Sequence, residues 1–409
     1  MDTTRRHIIQ TIAAAGTAAG LASVVPAVAA DAQTVAAAPV PQPQRGDVGG
    51  TDPGPRNVEI DRQNPDLLAA PSTDAGDLPN LKFPFSLAHN RLSSGGWARQ
   101  ITVREFPVST DMAGVDMRLN PGAVRELHWH VEGEWAYMLN GSAQITCLDA
   151  NGRNFVDNVN VGDMWFFPSA APHSIQALSS GCEFLLVFNN GSFSENDTFL
   201  LSDLFAHIPQ SVLAKNFGVS QNNFKNLAEP STRYIYSGKA PQGSARVYDP
   251  YGASPQSFSY HLSSNEAINL KGGNVHIIDA TTFPVTAIST AIVTVNPGYM
   301  REIHWHPHNE WQYYLEGTAR MTVFASDGTA RTFDYQAGDV GYVPNNDAHY
   351  VENTGQTPLR FLEVFNTPHY QDFSLAQWMG VTPSWLVQQD LNLPQQVMNA
   401  LPKTKPIIV

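Results

Sequence analysis

The residues of this chain best suited to chemistry are His128, His130, Glu134 and His173. His128 and His130 lie in a stretch that reads as strand, so both imidazoles leave the same face of a sheet. Val131-Glu132-Gly133 reads as a tight turn, with Gly133 free to take positive φ. Glu134 then opens a second strand, Glu-Trp-Ala-Tyr-Met-Leu, that folds back beside the first. His173 follows Phe-Phe-Pro-Ser-Ala-Ala-Pro and precedes another apolar run. Three neutral imidazoles and one carboxylate suit a divalent first-row metal that keeps open positions for substrate. By donor type alone the set accepts manganese, iron, nickel or cobalt.

A lone His-x-His is as often a pair of packed or surface histidines, and repetition decides against that here. His304, His306, Glu310 and His349 stand at one constant offset from the first set: 304−128, 306−130, 310−134 and 349−173 all give 176. Four ligand types kept in register across two copies mark two metal sites.

The elements that must position them are strands. Gln100–Phe106, Ala113–Leu119, Ala143–Leu148, Asp163–Phe167, His173–Leu178 and Glu183–Phe188 are separated by Asn, Gly, Asp and Pro. That spacing predicts an all-β sandwich or barrel. Segments 199–216 and 373–401 carry Leu, Phe, Trp and Gln at helix-like intervals and predict short helices after each barrel. The repeat runs beyond the ligands: Phe106-Pro107-Val108 recurs as Phe283-Pro284-Val285, Gly162-Asp163 as Gly338-Asp339, and Phe184–Phe188 as Phe361–Phe365. Two homologous β-domains follow, 81–236 and 237–409, joined near 230–255. Residues 31–80 are expected to be an N-terminal extension, flexible over 31–56 and packed irregularly on the first domain over 57–80.

The formal charge is 24−37, or −13. It argues against nucleic acid and anionic membrane surfaces as partners, and means that an anionic substrate needs local positive charge from metal and arginine. Residues 1–30 read as an export signal: Arg5-Arg6, an Ala-rich apolar run and the cleavage box Ala27-Val28-Ala29. The adjacent arginines resemble a twin-arginine signal, which exports folded proteins to the periplasm or beyond. The run is too weakly apolar for a membrane span. The two cysteines, Cys147 and Cys182, lack metal-ligand spacing and lie in apolar runs, which predicts buried free thiols. Export leaves one disulfide between them open.

Gly122-x5-His128-Trp-His130-x3-Glu134-x6-Gly141 resembles the first cupin motif, and Gly162-x5-Pro168 with His173 resembles part of the second. Two copies make a bicupin, with tandem double-stranded β-helix (jelly-roll) barrels. Arg-Glu-Leu-His-Trp-His, Pro-His-Ser-Ile-Gln-Ala-Leu and Gly-Ser-Phe-Ser-Glu-Asn are similar to the bacterial-type bicupin oxalate decarboxylases. The resemblance implies one manganese per barrel, two per chain. It implies oxalate as substrate, formate and carbon dioxide as products, and dioxygen required but not consumed. It also implies a homo-oligomer, trimeric or hexameric.

Carried over, Arg125 and Arg301 would hold substrate carboxylate, a pairing that suits a guanidinium. In a regular strand Arg125 and His128 face opposite ways, so this assignment needs a bulge or bend. Ser194-Glu195-Asn196-Asp197-Thr198 resembles the family's lid, with Glu195 as the group that handles protons. Asp197 stands where the family carries serine, which would either raise the Glu195 pKa by like-charge repulsion or alter lid closure. In an extended lid it would point the same way as Glu195. The second repeat has only Gln371-Asp372 between Tyr370 and Phe373, while Glu363, in place of Leu186, is a candidate acid there. The alternatives are an oxalate oxidase yielding hydrogen peroxide, a non-catalytic metal-binding bicupin, and a dioxygenase or isomerase on a larger substrate.

Overall fold

The structure, a computed structural model, describes residues 57–67, 70–241 and 249–409. Residues 1–30, read from sequence as an export signal, and residues 31–56 lie outside the described residues. Among those described, no helix is long and apolar enough to cross a membrane.

Each repeat folds as an antiparallel jelly-roll barrel, and both belong to one compact body. In the first, Glu134–Leu148 and His173–Phe188 are long strands that pair along most of their length and bend through both layers. In the second, the same path is broken into Glu310–Glu316, Thr318–Phe324, Ala348–Asn353 and Leu359–Phe365. The bend in the first barrel falls at Gly141 (φ 71°), where a Cβ would run into the Gly181 carbonyl. Helices Leu201–His207 and Gln210–Phe217 follow the first barrel, and Leu375–Val381, Ser384–Leu391 and Gln395–Ala400 the second, as the sequence predicts.

The apolar runs reflect strands buried on both faces. Ala136, Met138, Phe184, Leu186 and Phe188 point into the first barrel. Their alternates Trp135, Tyr137, Leu185 and Val187 point out against Trp311, Tyr313, Leu362 and Val364 of the second. Period-two alternation therefore builds a barrel core and an inter-barrel core from the same strands. The repeated phenylalanines Phe106 and Phe283 both join the inter-barrel cluster.

The sequence-derived boundaries 81–236 and 237–409 need correction, because the barrels exchange strands. Lys82–Pro84 pairs with Asp339–Gly341 of the second barrel, and Ser259–Tyr260 pairs with Met164–Trp165 of the first. Each covers the other barrel's open sheet edge, which would otherwise be left unpaired. Residues 57–80 pack on the second barrel, not the first, and are not a flexible extension. Val58–Gln63 is a helix, the Asp66 amide donates to Asp334 Oδ2 (2.8 Å), Ala75 bridges Ala330, and Leu78 and Leu81 enter the second core. Strand Ala330–Gln336 supplies the amide and hydroxyl donors that Asp66 and Asp74 require, with Thr332 on Asp74 and the Asp334 amide on Asp66. Cys147 and Cys182 are free and buried, and burial pushes both thiols up to about 12.

Candidate metal centres

Strand Val124–Trp129 carries the first two donors' framework. It pairs with His173–Phe188 through Arg125↔Ile175 and His128↔His173, so three steps on one strand oppose two on the other. The extra residue is a β-bulge. It turns Leu127 to solvent and brings Arg125 and His128 to the same side, where both line one cavity. The second barrel repeats the device between Arg301↔Val351 and His304↔His349, with Ile303 exposed. The hairpin after His130 closes without the positive φ expected at Gly133. Gly133 is needed there for close packing, because a Cβ would press on the Phe166 ring.

The structure brings His128, His130, Glu134 and His173 together, and separately His304, His306, Glu310 and His349. In each set one donor atom per residue lies within 4.8 Å of the others, and all eight residues are buried. Every imidazole faces a backbone carbonyl with Nδ1: His128 to Glu126 (2.5 Å), His130 to Glu132 (2.7 Å), His173 to Ala171 (2.8 Å), His304 to Glu302 (2.7 Å), His306 to Gln371 (2.9 Å) and His349 to Asp347 (3.1 Å). A carbonyl only accepts, so the proton is on Nδ1 and the Nε2 lone pair faces the cluster. His304 Nε2 has no hydrogen-bond partner, and Nε2 of His173, His306 and His349 faces only the carboxylate of its own set. Buried lone pairs converging on one point fit a cation, and the donor set suits manganese.

Electrostatics agree. Burial and the neighbouring charges of Arg125, His173 and His130 hold the His128 pKa well below its ordinary value, favouring the neutral ligand form. Burial alone would raise the Glu134 carboxyl, but the close His130 and His173 hold it well below the usual carboxylate range. Glu134 is oriented by Trp165 Nε1, which donates to Oε1 (3.2 Å), and Glu310 by Gln312 Nε2 (2.8 Å). Glu126 accepts from the Ser202 amide (2.7 Å) and hydroxyl (3.0 Å), and Glu302 from the Ser374 hydroxyl (2.5 Å), tying each ligand strand to the following helix. Sequence reasoning missed these supports. Only the repeated Arg-Glu before each His-Trp-His hinted at Glu126 and Glu302.

Glu195 is 8% exposed and lines the first cavity with Arg125, His128, His130 and Glu134. The cavity is only about 10 Å³, roughly the room one water needs, so segment 194–198 leaves no space there for a larger molecule. Burial raises the Glu195 pKa, while the Tyr234 hydroxyl and the charges of Arg125 and Arg91 pull it back. Asp197 does not act as expected. Residues 195–197 form a 3₁₀ turn rather than an extended segment, so Asp197 faces solvent and plays no part in the Glu195 shift. Arg125 lies over the Tyr234 ring (4.2 Å to the centroid) and Nη1 donates to the Tyr234 carbonyl (3.4 Å). Tyr234 is a contact that the sequence did not reveal.

In the second barrel Glu363 is fully buried. Its Oε1 is 3.5 Å from Arg301 Nε, and its Oε2 accepts from the Tyr370 hydroxyl (3.2 Å). Burial raises its pKa, opposed by the Arg301 charge. Arg301 Nη2 is bonded to Asp372 (2.5 Å).

Residues 86–225 and 260–398 each match the Cupin family model. The chain is 55% identical over 375 residues to the oxalate decarboxylase OxdC of Bacillus subtilis, covering 90% of this chain and 97% of that protein. It is 39% identical to a probable oxalate decarboxylase of Arthroderma benhamiae, over 88% of this chain and 91% of the relative. Among solved structures, the B. subtilis oxalate decarboxylase studied for its Mn(II) centres superposes with a TM-score of 0.88 at 55% identity, covering 91% of this chain and 99% of that one.

Proposed function

Because the chain belongs to the cupin family, as one of its two-barrel oxalate decarboxylases, we propose that it converts oxalate to formate and carbon dioxide at manganese held in the first barrel. The observation that carries the reading is the convergence of Glu195 and Arg125 on the cavity lined by His128, His130 and Glu134 of the first ligand set. Manganese on those four residues, with dioxygen as co-catalyst, supplies Lewis acidity, a one-electron couple and a template for the substrate.

The residues of the chain do the rest. Arg125, brought to the metal side by the bulge, pairs with a substrate carboxylate. Glu195 takes the proton of hydrogen oxalate and returns it to the carbon left when carbon dioxide departs. One hydrogen oxalate gives one formate and one carbon dioxide, so the closed balance consumes no oxidant. Closure of the Ser194–Thr198 lid keeps bulk water away from the reacting carbon. With a cavity this small, oxalate enters only when the lid opens.

We further propose export by the twin-arginine route, supported by Arg5-Arg6 and the Ala-rich run after them. A homo-oligomer, trimer or hexamer, is supported by apolar groups left open on the surface. Trp305, Phe324 and Trp378 line one groove, and Phe199 is stacked on Trp129 and half exposed. The test of the activity is turnover of oxalate by protein stripped of metal and then reloaded with manganese. Formate returning with manganese supports the reading. Hydrogen peroxide in place of formate makes the enzyme an oxidase, and no turnover of oxalate overturns it.

A further inference from the structure

The two metal centres share their ligand geometry but not the state of their arginine. Among the described residues no carboxylate lies within ion-pair distance of Arg125, whose contacts are the Tyr234 carbonyl and ring. Its guanidinium is free to take a substrate carboxylate. Arg301 is ringed by carboxylates instead. Nη2 meets Asp372 Oδ2 at 2.5 Å and the Tyr370 hydroxyl at 3.1 Å, Nε lies 3.5 Å from Glu363 Oε1, and Nη1 donates to the Ile407 carbonyl at 3.2 Å. Asp372 is held in turn by Lys405 through its other oxygen. Arg301 and Asp372 are both almost wholly buried.

The placement follows from chain length. Phe373–Ser374 pairs with His304 and Trp305 as Phe199–Leu200 pairs with His128 and Trp129. The first barrel spends five residues, 194–198, between Phe193 and that strand; the second has only Gln371 and Asp372 after Tyr370. A two-residue link cannot form a lid turn, and it drops the Asp372 carboxylate onto the guanidinium. The C-terminal residues close the opposite side, where the Ile407 carbonyl accepts from Glu302 and Val409 pairs with Met300.

We infer that Asp372 occupies the seat of a substrate carboxylate on Arg301, closing the second centre to oxalate and other small carboxylates and so deciding which of the two metals takes substrate. This rests on the reading of Arg125 and Arg301 as carboxylate-binding arginines. Fixed carboxylates of Asp372, Glu363 and Glu302 already surround the Arg301 guanidinium, with Lys405 beyond, so an added anion must displace or meet them, whereas the carboxyl near Arg125 is Glu195 of segment 194–198 and makes no ion pair with it.

The experiment isolates the second centre. In a His128→Ala background, manganese is loaded into the second barrel alone and its Mn(II) resonance is titrated with formate, which is not turned over. The expected result is no response in that background. Adding Asp372→Ala should produce a formate-dependent change in the resonance, with affinity at least tenfold tighter and lost again on adding Arg301→Lys. Asp372→Asn keeps the volume and removes the charge, and should shift affinity in the same direction; it decides the matter if the alanine variant does not fold. Folded, loaded variants that still ignore formate overturn the inference, as does a background protein that already binds formate. The formate response of the parent's first centre, read separately, tests the functional reading itself.

Discussion

Replacing Glu195 by Gln keeps the size of the side chain and removes its proton. Glu195 is the buried carboxyl of the lid that faces the cavity, and Asp197, two residues on, is exposed on the far side of the 3₁₀ turn. A closed cavity of about 10 Å³ holds roughly one water, so bulk solvent cannot stand in as acid. A positioned general acid contributes about 10²–10⁴-fold, which corresponds to about 3–5 kcal/mol of barrier. The metal ligands and Arg125 are untouched, so oxalate binding should persist within a few-fold. Formate is followed with a dehydrogenase-coupled assay and peroxide with a peroxidase-coupled one. Formate production should fall by about 10²–10⁴-fold, with part of the remaining flux appearing as hydrogen peroxide, because a carbon that is not protonated is left to be oxidised. Asp197→Ser should decarboxylate like the parent. Parent-rate formate from Glu195→Gln would refute the assignment, as would a comparable loss in Asp197→Ser.

Three more outcomes are expected. His128→Ala should lose one equivalent of manganese and at least about 100-fold in formate turnover, since even removing a partner of a metal ligand costs 10–100-fold; His304→Ala should lose the other equivalent and lower thermal stability or assembly more than turnover, as metal analysis with calorimetry would show. Burial and the nearby Glu183 push the buried Asp116 up to about 7, so between about pH 4 and 7 the folded chain binds more protons than the unfolded one and stability falls as pH rises, by at most about 4 kcal/mol. Asp116→Asn should therefore be more stable than the parent at pH 8, with the gain fading toward pH 4, and a pH-independent gain would contradict this. Replacing Arg5 and Arg6 by Lys should leave precursor in the cytoplasm, visible by fractionation and blotting.

Much of the site was legible in the sequence because it is written locally. His-x-His on a strand, Glu four residues after the second histidine, and a constant offset of 176 between copies need no knowledge of long-range packing. The parity conflict between Arg125 and His128 required a bulge or a bend, and the strand pairing contains a bulge. The parts that escaped depend on partners far away in the chain. Nothing near Lys82 says that its strand completes a sheet at Asp339–Gly341, and nothing near Asp66 names Asp334 as its neighbour. The same holds for Asp372 on Arg301 and for Tyr234 under Arg125. Gly133 shows the limit of turn chemistry: the glycine is required, but by the Phe166 ring and not by its own φ.

The proposed reaction is a decarboxylation whose proton stays within the active site and whose dioxygen is returned. It is tested most directly by measuring formate, carbon dioxide and dissolved oxygen together while the manganese-loaded enzyme turns over isotopically labelled oxalate in air. One labelled formate and one labelled carbon dioxide are expected per oxalate, with no net oxygen uptake. Two carbon dioxide per oxalate, with matching oxygen loss and hydrogen peroxide, would contradict it.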